Sequence, residues 1–136
     1  MTRKKTIIAF CCENSAYKAA EPILGASFMK SVEVVKLTCA GKVQVNEILK
    51  CFENGAENVL ILGCPIDNCQ YLKGNIRAQK RVNVARQALK DAGIDENRLK
   101  IEFISSLDRH KLAEIIKKIE AATNLNYSGA SKTRTR

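Results

Sequence analysis

Six cysteines in a chain of 136 residues are the side chains best suited to do chemistry. Cys64 and Cys69 form a C-x4-C pair inside Gly63-Cys64-Pro65-Ile66-Asp67-Asn68-Cys69-Gln70-Tyr71, whereas Cys12 and Cys39 stand alone. Thiolates are soft ligands, and four of them satisfy either a tetrahedral zinc ion or an iron–sulfur cluster. Structural zinc sites usually draw on close pairs such as C-x2-C, so one C-x4-C pair plus two isolated cysteines suits a cluster at least as well. A thiol-only redox pair ranks lower, because no C-x-x-C occurs. Clustered thiols in a reducing compartment bind metal or do redox work more often than they form structural disulfides. Cys11 and Cys51 also read as small buried hydrophobes.

Other chemistry is thinly supported. The one histidine, His110, falls at the start of the last helical segment, where a capping or surface role suffices. Neither G-x-G-x-x-G nor G-x4-G-K-[ST] is present, so no phosphate loop is indicated. No candidate nucleophile is accompanied by a recognisable base.

The elements that must position the thiols follow from the hydrophobic pattern. Residues 6–12, 32–38, 58–62 and 100–105 are apolar runs of strand length. Residues 16–20, 45–52, 75–92 and 108–122 carry helical spacing, with Ala78, Val82, Ala85 and Leu89 on one stripe at ~100° per residue. Pro22 interrupts the first helix, Glu13-Asn14-Ser15 offers it capping residues, and Asn54-Gly55 and Gly93 are stop signals. The order βαβαβαβα predicts a three-layer α/β sandwich on a four-stranded, mainly parallel sheet of flavodoxin- or Rossmann-like kind. Right-handed crossovers then bring all four strand ends to one edge, where ligands of open sheets bind. Cys12, Cys39 and Cys64 each follow a strand, so they share that edge, and Cys69 is close enough along its loop to join them.

Length suits one domain, residues 1–125, with 126–136 a basic tail expected to be disordered. The apolar fraction of 46% is ordinary, and no apolar run approaches the ~20 residues that span a bilayer. The first apolar run is too short for a signal-peptide core, so a soluble cytoplasmic protein is expected. The formal charge of +9 is concentrated: Lys73, Arg77, Lys80, Arg81, Arg86 and Lys90 precede any acid until Asp91. Such a field suits nucleic acid or an acidic protein surface. With 5% aromatics and no aromatic–basic interleaving, nucleic acid is the poorer match. Arg77, Lys80 and Arg81 are the candidate docking residues for an acidic protein partner.

Several positions together carry a family resemblance: Phe10, Cys12 and Tyr17; Cys39-Ala40-Gly41-Lys42-Val43; Ile48-Leu49-Lys50 and Phe52 with Gly55-Ala56; Gly63-Cys64, Asp67, Cys69, Tyr71, Gly74-Asn75, Ala78 and Arg81. The match continues through Gly93-Ile94, Arg98 and Phe103-Ile104-Ser105. These residues resemble the delta subunit of methyl-viologen-reducing hydrogenase, the iron–sulfur partner of heterodisulfide reductase. The resemblance implies a [2Fe–2S] cluster held by Cys12, Cys39, Cys64 and Cys69. It also implies electron transfer between a hydrogenase-like donor and heterodisulfide reductase in an anaerobe, with no catalysis by the chain alone. The family usually reads Cys-x-x-Cys in its first loop, whereas Ser15 takes the second place here, leaving Cys11 and Ser15 as substitute ligands. Gln70 stands where the family often has histidine. A cluster-free or zinc-bound adaptor that keeps only the fold and the docking role is the alternative.

Overall fold

The structure is a computed structural model that describes residues 7–64 and 74–133, with side chains over 7–64 and 76–122. Four strands, β1 Ile7–Cys12, β2 Val32–Leu37, β3 Asn58–Gly63 and β4 Leu99–Phe103, form one sheet in the order β2-β1-β3-β4. All three pairings are parallel, with Cys12 opposite Leu37 and Gly63 opposite Phe103. Helices α1 Ala16–Ala20, α2 Val45–Glu53, α3 Gly74–Asp91 and α4 Arg109–Thr133 are the intervening elements.

The pleat of β1 sorts its side chains between two cores. Ile7, Ala9 and Cys11 join Ala16, Ala19 and Ala20 of α1 and Leu112, Ile116 and Ile119 of α4 on one face. Phe10 joins Ile48 of α2 and Ala78, Val82, Ala85 and Leu89 of α3 on the other. The apolar stripe expected on α3 is therefore the face it buries. Every residue of β3 is buried, as a strand flanked by neighbours and covered on both faces must be. The expected three-layer α/β architecture is the one observed.

Local signals act as their chemistry requires. Gly55 and Gly93 sit at φ 101° and 81°, left-handed values that follow α2 and α3 and favour glycine. At Pro22 the chain leaves α1 for a 3-10 turn, Glu21–Ile23, because proline cannot donate the next helical bond. A reciprocal capping box of Gln44 and Glu47 starts α2. The last helix differs from expectation: it continues to Thr133 rather than ending near Ala122, and no proline intervenes to stop it. Among the described residues, no helix is long and apolar enough to cross a membrane.

Candidate metal centre

Parallel pairing puts the carboxyl ends of β1, β2 and β3 on one edge, with β1 in the middle. Neighbouring strands lie ~4.8 Å apart, so the end of β1 is within side-chain reach of both flanking strand ends. Cys12 is the last residue of β1, Cys64 follows β3 directly, and Cys39 lies two residues beyond β2. All three are buried.

Two of these thiols are in contact. Cys12 Sγ and Cys64 Sγ stand 3.4 Å apart. A disulfide needs ~2.05 Å, and no disulfide joins the five described cysteines. Two thiolates bound at ~2.3 Å to one tetrahedral metal would stand roughly 3.8 Å apart. The pair therefore fits two soft ligands of a single metal atom. On its other side, Cys12 Sγ approaches the carbonyl of Thr38 at 4.0 Å, so this sulfur bridges the ends of both neighbouring strands.

Cys39, at the same edge, is oriented by its own turn. It caps the 3-10 turn Ala40–Lys42, and the Gly41 N–H donates to Cys39 Sγ at 3.4 Å. That turn packs onto the end of β3. A Cβ added to Gly63 would meet the Ala40 methyl at 3.1 Å, closer than a side chain ordinarily stands. Gly63 thus allows the Cys39 turn and the Cys64 backbone to approach each other. Among the described residues, no three histidine, cysteine or acidic side chains converge as a metal cage. Cys69 belongs to residues 65–73 and lies outside the described residues.

The two candidate substitutes are placed differently. Cys11 points to the opposite face from Cys12, into the core with α1 and α4, where its thiol donates to the Ala9 carbonyl at 3.8 Å. Burial, and secondarily the neighbouring Cys12 charge, push its pKa up to about 12. The structure does not bring it to the Cys12–Cys64 pair. Ser15 does lie beside the site: its amide donates to the Cys12 carbonyl at 3.2 Å. It occupies the N-cap position of α1, yet its hydroxyl makes no cap bond, and it is buried at 4% exposure with no hydrogen-bond partner. Leaving a buried hydroxyl unpaired costs about 1–3 kcal/mol. Cys51 is remote in α2, half-buried, with its thiol raised by burial first and then by Glu33 and Glu47.

The basic residues of α3 divide. Arg77 and Lys80 are exposed. Arg81, expected to share their outward side, instead turns to the Cys39 turn, donating to the carbonyls of Gly41 and Val43, the second at 2.8 Å. The signal was in its spacing: by the ~100° step, Arg81 stands about 60° around the helix from buried Ala78, close enough for a long side chain to reach inward. Arg86 is also spent on a backbone oxygen, that of Leu99, at 2.8 and 3.0 Å.

Comparison with known proteins adds to this geometry. The family model described as methyl-viologen-reducing hydrogenase, delta subunit, matches residues 7–125. The iron-sulfur subunit of the F420-non-reducing hydrogenase of Methanocaldococcus jannaschii is 35% identical over 118 residues, covering 85% of this chain and 87% of the relative. Its counterpart in Methanopyrus kandleri is 32% identical over 122 residues, covering 88% and 92%. A third relative is a subunit of the ferredoxin/F(420)H(2)-dependent CoB-CoM heterodisulfide reductase of Methanosarcina acetivorans, 30% identical over 121 residues. These are 84% of this chain but 15% of that protein.

Proposed function

Since this chain belongs to the methyl-viologen-reducing hydrogenase delta-subunit family, we propose that it is an electron-relay subunit with a [2Fe–2S] cluster. It would serve a cytoplasmic hydrogenase- and heterodisulfide-reductase-type complex. The observation that carries this reading is the 3.4 Å approach of Cys12 and Cys64 at adjacent strand ends. It is supported by relatives that are named as iron-sulfur subunits. Cys12, Cys39, Cys64 and Cys69 are the thiolates that would hold the cluster, and four are the usual complement. When bound, such a cluster supplies a one-electron centre. The protein's own part would be positional: Cys12, Cys39 and Cys64 lie at or just beyond three strand ends and are buried from bulk water.

Anaerobically purified protein tests the proposal. It should be coloured, contain about two irons per chain and show a [2Fe–2S] paramagnetic signal after reduction. Zinc at one per chain, with no iron taken up on reconstitution, would instead establish the zinc-bound adaptor.

The exposed pair Arg77 and Lys80 is the docking face for an acidic protein partner. It sits on the first turns of α3, Arg77 being one turn before the Arg81 that contacts the Cys39 turn, so docking there would bring a partner toward the rim. Reversing both charges with Arg77→Glu and Lys80→Glu should weaken association with a heterodisulfide-reductase-type partner about tenfold at low salt. The difference should fade near 0.5 M salt, where the Debye length is only ~4 Å. Association that is unchanged at every salt concentration would remove this face.

A further inference from the structure

We propose that Arg81 is the positioning residue of the Cys39 thiol, tying the turn that carries Cys39 to helix α3. Its relevance to a cluster rests on the relay reading above; its structural role does not.

The chain of contacts is short. One guanidinium nitrogen of Arg81 donates to two carbonyls, those of Gly41 and Val43. Between these acceptors lies the end of the 3-10 turn that Cys39 caps. The Gly41 residue whose carbonyl receives Arg81 also supplies the N–H that donates to Cys39 Sγ. Without Arg81, the turn is held by its own local bonds, Lys42 N–H to the Cys39 carbonyl at 2.9 Å and Val43 N–H to the Ala40 carbonyl at 3.2 Å. It is also anchored by Ala40 packed on Gly63 of β3 and by the Val43 side chain buried against α2 and α3. A 3-10 turn of three residues has poor hydrogen-bond geometry of its own, so a charge-assisted clamp from a long helix contributes much of its rigidity.

The clamp also has an electrostatic side. Both acceptors are neutral carbonyls, so they do not cancel the guanidinium charge. That charge stays near the turn on which Cys39 sits and favours added negative charge on the sulfur or on anything it ligates. Lysine would keep the charge but not the fixed in-plane direction of the two N–H bonds on that one nitrogen. The two contributions can therefore be separated by substitution.

Amide hydrogen exchange on the full-length, metal-free chain reads the positioning role directly. Arg81→Gln should speed exchange of Gly41, Lys42 and Val43 by at least about tenfold, in keeping with loss of charge-assisted hydrogen bonds. The amides of residues 59–62 in β3 should keep their rates. Arg81→Lys should recover only part of the protection, and Lys90→Gln, at an exposed position of the same helix, should change nothing. Unchanged exchange at residues 41–43 in Arg81→Gln would overturn the assignment, and so would equal acceleration in β3, which marks general loss of stability. In iron-loaded protein, Arg81→Gln should lower the midpoint potential while Arg81→Lys holds it near the parent value. If the parent chain takes up no iron but residues 41–43 respond as stated, the relay reading falls and the positioning role stands.

Discussion

Cys64→Ser is expected to remove the iron from anaerobically reconstituted protein, taking it from about two irons per chain to well under half of one. The substitution is small, and the far-ultraviolet circular dichroism should be unchanged. The loss follows from position: Cys64 Sγ is the atom that stands 3.4 Å from Cys12 Sγ, and a serine oxygen is a harder, shorter ligand than the thiolate it replaces. Cys51→Ser is the matched control. That thiol is half-buried in α2, away from the strand-end rim, and its loss should leave iron content intact. Ser15→Ala should also keep the iron, because the four proposed thiolates would complete the site without it. By removing an orphaned hydroxyl, it should leave the metal-free chain about 1 kcal/mol more stable. Iron analysis of the three variants checks the ligand assignment, and urea unfolding checks the stability gain. Full iron in Cys64→Ser would defeat the assignment, and loss of iron in Ser15→Ala would make Ser15 a ligand.

Leu60→Ala is expected to cost about 3–5 kcal/mol of folding stability, the range for leucine truncation in a packed core. Leu60 is fully buried at the centre of β3. It is paired with Ala9 on one side and Lys100 on the other and lies within the core that α1 and α4 cover. Rigid neighbours on every side leave little room for collapse into the cavity. Set against a total stability of ~5–15 kcal/mol, this is a large fraction. Urea unfolding with an unchanged slope measures it. A change below about 1 kcal/mol would mean that the core repacks freely around β3. Leu107, by contrast, is 89% exposed in the loop after β4, and Leu107→Ala should fall within ~0.5 kcal/mol of the parent.

The same leucine type gives opposite expectations at positions 60 and 107, and the difference was legible in the chain. Leu60 lies in an unbroken apolar run, Val59-Leu60-Ile61-Leu62, whereas Leu107 is isolated between Ser106 and Asp108. The stripe of Ala78, Val82, Ala85 and Leu89 was legible for the same reason, and all four are buried on α3. Legibility failed where a residue's partner is distant in sequence. Ser15 reads as a helix cap from its neighbours, yet its hydroxyl makes no cap bond, because its backbone at φ -139°, ψ -82° is not in the extended conformation of a capping residue. Arg81 reads as part of a basic surface, yet its partners, Gly41 and Val43, lie about forty residues away.

The element order could be read from the residues alone, and so could the shared edge at which Cys12 ends β1 and which Cys39 and Cys64 follow. Hydrophobic period and stop signals are local, and right-handed crossovers leave one edge for all parallel strand ends. Only the tertiary structure decided that β1 lies between β2 and β3, which makes Cys12 the central thiol. It also decided that Cys12 meets Cys64, that Cys11 is turned into the opposite core, and that Arg81 clamps the Cys39 turn. Strand order, and the distant partners that Cys12 and Arg81 meet, are fixed by packing between segments far apart in the chain.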